Sequence, residues 1–165
     1  MKVLIISMAI IVSFLYGTSS VHAASSDLNK MNAEIDELFD KGKYGSALII
    51  TNRALTLARE QYGVDHLITA NYIQYKAQIF EAQHKDDAAA KLYEQALSIK
   101  EDQLGPDNLE VADVMIPLAN YYKRTDKKME AELMLERALK ILEGELGPDN
   151  EDVQNVKRML SEVRS

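Results

Sequence analysis

The sequence predicts an all-α fold built as a solenoid of antiparallel helix pairs, and three observations carry that prediction. A loop recurs as "QYGVDH" at Gln61–His66, "QLGPDN" at Gln103–Asn108 and "ELGPDN" at Glu145–Asn150, a spacing of 42 residues, within the range of stacked-repeat architectures. Between the loops, apolar residues return at helical intervals, with Ala70, Ile73, Ala77 and Phe80 in one segment and Leu92, Tyr93, Ala96, Leu97 and Ile99 in the next. The links within each pair are short and polar, "DKGK" at Asp40–Lys43, "QHKD" at Gln83–Asp86 and "RTDK" at Arg124–Lys127. Links this short force each helix to fold back on its neighbour.

Taken in order, the chain opens with a segment that stands apart from the fold. Lys2 supplies a positive start, Val3–Tyr16 is an unbroken apolar run of 14 residues, and small residues follow. Such a run is shorter than the roughly 20 residues a bilayer-spanning helix needs. Val21 and Ala23 suit signal-peptidase cleavage after Ala23. Residues 1–23 therefore read as a signal peptide and 24–27 as a short extension. The expected location is periplasmic or secreted, and the absence of any Asn-x-Ser/Thr sequon favours a bacterial source.

Helices are then expected over about 28–40, 44–61, 67–82, 86–102, 109–124, 128–144 and 150–163. They group into repeats over 28–61, 67–102 and 109–144, followed by a capping helix. The recurring loop reads as the joint between repeats. Its Leu closes one helix and packs, Gly105 and Gly147 supply a left-handed residue, and Pro106 and Pro148 forbid continuation. Asp107–Asn108 and Asp149–Asn150 offer capping oxygens to the next helix. An EF-hand-like calcium loop would need carboxylates at alternating positions and a bidentate Glu, which these loops lack. Pro117 falls inside a helix and removes its bond to the Asp113 carbonyl, at a cost of about 3 kcal/mol relative to Ala; a local kink is expected there. The last segment places Val153, Val156, Leu160 and Val163 on one face, as a helix covering the end of the stack would.

Composition narrows the function. The full chain carries 19 basic and 26 acidic residues, a net charge of −7, and loss of Lys2 makes this −8. That charge disfavours nucleic acid and anionic membrane as partners. Zero Cys excludes disulfides and thiolate chemistry. His66 and His84 lie far apart and form no HExxH-type pair, and no GxSxG, P-loop or GxGxxG motif occurs. The reading is therefore a non-enzyme, with no catalytic residue, no metal and no cofactor.

The columns of the repeat go further. Ala47, Ala89 and Ala131 align, as do Ala77 and Ala119, the "RAL"-type triplets at Arg53, Gln95 and Arg137, and the aromatics Phe80 and Tyr122. With these columns the chain resembles the tetratricopeptide-repeat (TPR) family over about residues 28–165, and the "LGPDN" junction is similar to its kinesin-light-chain type. The first repeat departs furthest, with Ile35 in the small-residue column and Leu38 in the aromatic one.

The resemblance implies a right-handed superhelix whose first helices line a concave groove that binds a protein or peptide segment. On those helices Asn71, Gln74 and Gln78 form one stripe, with Tyr75 beside it. Asn29, Asn32 and Asp36 repeat the stripe earlier, and Asp113, Asn120 and Lys123 continue it, interrupted by Ile116. Primary amides donate and accept, so such a stripe suits the backbone of an extended peptide. The candidate contact residues are Asn32, Asp36, Asn71, Gln74, Tyr75, Gln78 and Asn120. With no basic residue in these columns a carboxylate clamp is not expected, and a basic or neutral segment suits the acidic chain. The alternative is a self-associating structural subunit, a homo-oligomer that leaves the groove unused.

Overall fold

A computed structural model describes residues 25–165 and contains, among them, seven helices and no strand. They are α1 (25–40), α2 (Tyr44–Tyr62), α3 (Leu67–Ala82), α4 (Asp86–Leu104), α5 (Leu109–Arg124), α6 (Lys128–Leu146) and α7 (Glu151–Arg164). From α2 onward each helix packs on the next in sequence. The expected leader, residues 1–23, lies outside the described residues. α1 begins at Ser25, so most of the expected extension is helical.

Small residues set how closely the helices approach. Ala47, Ala89 and Ala131, then Ala54, Ala96 and Ala138, then Ala77 and Ala119 are all buried, at the same places in successive repeats. Larger side chains fill the space between, including Ile35, Ile73, Ile79, Tyr93, Met115, Leu118 and Leu135. The core is one continuous cluster from Leu28 to Val163. α7 buries Val153, Val156, Leu160 and Val163. It is also tied to the last pair by Lys157–Glu143 at 2.7 Å and by Arg164, which reaches both Glu132 and Glu136.

Two kinds of joint alternate. Within each pair the chain reverses through a left-handed residue, Gly42, His84 or Asp126, at φ 66°, 59° and 61°. The amide after it donates five residues back, Lys43 to Leu38 O, Lys85 to Phe80 O and Lys127 to Tyr122 O, at 2.8–2.9 Å. This is the Schellman closure of a helix end. A side chain in the left-handed region is strained, and His84 is exposed there, its backbone N–H donating to Glu81 O at 2.8 Å. Replacing His84 by Gly is therefore expected to raise stability by about 0.5–1 kcal/mol, the relieved strain exceeding the added freedom of the unfolded chain. A higher urea midpoint with an unchanged slope would show it.

Between pairs the joint differs from the expectation. Gly105 and Gly147 have φ 85° and 82° but ψ 159° and 160°. That is the extended positive-φ region open essentially to glycine, not the left-handed helical one. α4 and α6 accordingly run two residues further than expected, up to the leucine before the glycine. Leu146 is 39% exposed, so that leucine does not pack as expected. Asn108 and Asn150 cap the next helices, accepting from Glu110 N at 2.9 Å and Asp152 N at 2.8 Å. In the degraded first copy His66 takes this place, its Nδ1 accepting from Ile68 N at 3.2 Å. α5 runs through Pro117 without interruption, so the proline ends no element.

Candidate functional site

α1 and α3, the first helices of neighbouring pairs, lie side by side and enclose a cavity of about 260 Å³ lined by Asn32, Asn71, Gln74, Tyr75 and Gln78. These are five of the seven candidate contact residues. Asp36 is exposed on α1, and its charge, after burial, raises the pKa of the Tyr75 phenol. Asn120, half-buried on α5, is not among the lining residues. Lys123 does not extend the stripe as a free group, because its ammonium pairs with Glu162 of α7 at 2.5 Å.

Residues beneath the cavity hold two of its amides. The Tyr72 hydroxyl donates to Asn32 Oδ1 at 2.6 Å. Burial, with Tyr75 nearby, pushes the pKa of Tyr72 up to about 12, so the phenol keeps its proton. From α4, Lys100 sends its ammonium under α3 and donates to Gln74 Oε1 at 2.8 Å. The same ammonium pairs with Glu110 of α5 at 3.1 Å. Asp113 stands close enough for the lysine to favour its ionised form, though burial first, then Asp152 and Glu110, raise its pKa overall.

Lys100 was not among the sequence candidates. Its side chain is only 4% exposed, and a lysine near the end of an amphipathic helix reads as surface. The signal available was the repeat itself: the column holds Ala58, Lys100 and Leu142, so a charge stands where the other copies bury an apolar group.

A second cavity of about 520 Å³ lies on α6, lined by Met129, Glu130, Glu132, Leu133 and Glu136. Met129 is 83% and Leu133 63% exposed. On its rim Glu132 and Glu136 are both paired with Arg164. No group of three or more His, Cys, Asp or Glu residues able to hold a metal occurs among the described residues.

These features define a helix-pair solenoid with a polar groove along its first helices. Family models described as tetratricopeptide repeat match residues 38–102 and 111–152, together well over half the chain. The chain belongs to the tetratricopeptide-repeat family, whose right-handed superhelices serve as protein–protein interaction scaffolds. No curated protein sequence matches it significantly.

Among solved structures, a kinesin-light-chain protein of Podosopora anserina with nearly identical TPR-like repeats superposes with a TM-score of 0.74 at 16% identity, over 82% of this chain and 64% of that one. BtubC (BKLC) of P. vanneervenii superposes at 0.72 with 20% identity, over 89% and 65%. The type III secretion translocator chaperone SycD of Yersinia enterocolitica superposes at 0.67 with 15% identity, over 85% of each chain. The chain thus spans slightly less than two thirds of the first two structures. Identities this low speak for the fold.

Proposed function

We propose that this chain is a non-catalytic scaffold that receives an extended segment of a partner protein in the groove between α1 and α3. The observation that carries the reading is the polar cavity lined by Asn32, Asn71, Gln74, Tyr75 and Gln78. Four primary amides and a phenol line the space. An extended peptide, with a donor and an acceptor at every residue, matches that lining. A fold shared with SycD, a secretion chaperone, is consistent with a protein ligand. The acidic chain favours a basic or neutral segment through long-range attraction.

The proposal includes export through residues 1–23, with function in the periplasm or outside the cell. Self-association is the second reading, favoured by the exposed Met129 and Leu133 of the α6 patch.

The test is affinity capture from the exported fraction of the native host, using residues 24–165 and a Gln74→Arg/Gln78→Arg variant with unchanged circular dichroism. Two bulky cations in the cavity are expected to abolish retention of the partner that the unaltered protein holds. Equal capture by both proteins removes the groove from consideration, and recovery of the bait alone favours self-assembly.

A further inference from the structure

The buried ammonium of Lys100 fixes which way one groove amide faces. A lysine has three donors and no acceptor, so the atom of Gln74 that it touches at 2.8 Å is the carbonyl oxygen, Oε1. The Gln74 amide nitrogen is then turned away from Lys100, and Gln74 lines the cavity. Asn32, the equivalent residue one repeat earlier, has its Oδ1 2.6 Å from the Tyr72 hydroxyl, a group able both to donate and to accept. Gln74, which could in principle present either polarity, is thus the amide held with its oxygen occupied and its N–H groups available.

Resting on the groove reading above, we infer that Lys100 is a positioning residue that makes the α1–α3 cavity select a neutral hydrogen-bond acceptor, a main-chain carbonyl of the bound segment, opposite Gln74. The ammonium does not convert the site into an anion receptor. Glu110 neutralises it at 3.1 Å, Asp113 adds a further acidic group beside it, and Asp36 stands near Tyr75 of the lining. A carboxylate ligand would be repelled by this surplus of negative charge, whereas a carbonyl oxygen gains the Gln74 donor without that repulsion.

Small probes test this without knowledge of the partner. Residues 24–165, labelled with ¹⁵N, are titrated with N,N-dimethylacetamide, which only accepts, with pyrrole, a neutral N–H donor without an acceptor lone pair, and with acetate, an anionic acceptor. The Gln74 and Asn32 side-chain NH₂ signals are followed, with Gln74→Ala used to assign the first. The expected result is that dimethylacetamide binds about fivefold more tightly than pyrrole, the margin of one ordinary hydrogen bond, and more tightly than acetate.

In Lys100→Met, checked for fold by circular dichroism, the Gln74 amide is free to turn and the preference over pyrrole is expected to fall to about one. Equal or reversed preference in the unaltered protein overturns the inference, as does a preference unchanged by Lys100→Met. Tighter binding of acetate overturns the choice of a neutral carbonyl. The titration of the unaltered protein stands whether or not the variant folds. Because it uses no natural partner, its failure is distinguishable from failure of the capture experiment.

Discussion

Replacing Ile73 by alanine is expected to lower the unfolding free energy by about 2–5 kcal/mol. Ile73 is fully buried at the centre of α3, the helix packed between α2 and α4. The truncation removes three carbons from a site that cannot collapse around the gap, because the flanking alanines at 70 and 77 are themselves buried and already allow close approach. A stack of this size has about 7–20 kcal/mol to lose in total, so this one change takes a large share. Repeat stacks hold together through nearest-neighbour interfaces, and Ile73 sits in the central run of them. Urea unfolding followed by circular dichroism measures the loss. A lower midpoint with an unchanged slope means the stack still unfolds as one unit, and a shallower slope means its halves have separated. Ile73→Val, which loses only one of those three carbons, is expected to cost about 0.5–1.5 kcal/mol.

The second large effect concerns the pair beneath the groove and has opposite consequences for its two members. Glu110→Ala is expected to cost about 1–3 kcal/mol, because it leaves the Lys100 ammonium without its counter-ion. The cost stays below that of a fully enclosed pair, since the Glu110 side chain is 47% exposed and water can reach part of the vacated space. Lys100→Met is expected to change stability by less than about 1 kcal/mol, since an apolar side chain of similar length replaces both the charge and its desolvation. The column supports this, with Ala58 and Leu142 at the same place in the neighbouring repeats. Unfolding curves of both single variants and the double variant check the claim. A double variant close to Lys100→Met alone shows that the cost of Glu110→Ala came from the stranded ammonium.

Much of this molecule was legible in the sequence because its punctuation is local. Gly-Pro-Asp-Asn stops one helix and caps the next using only neighbouring residues, and buried alanines 42 residues apart mark where helices touch. The amide stripe was legible for the same reason, since i, i+3 and i+7 on one helix must share a face. Less legible was what depends on distant residues or finer backbone geometry. The ψ angles of Gly105 and Gly147 cannot be inferred from the presence of a glycine, and they carried α4 and α6 two residues further. Lys123 belongs to the stripe by spacing, yet Glu162, 39 residues on, takes its charge. Lys100 meets Gln74 from 26 residues away on a different helix. Its long apolar stem lets it sit inside while its sequence context reads as outside.

The unlike supports under successive amides give the groove a direction. Asn32 is held from below by a neutral phenol and Gln74 by a charged ammonium, while the third equivalent position is Ile116, which has no amide to hold. A perfectly periodic track would let a guest chain slip by one repeat at no cost and lie almost as well head to tail as tail to head. Here each step along the track meets a different chemical environment, so on the proposed reading translation and reversal of a guest would both carry an energetic penalty. The 42-residue symmetry builds the scaffold, and its departures from that symmetry are the reference marks that would set one alignment of the proposed segment.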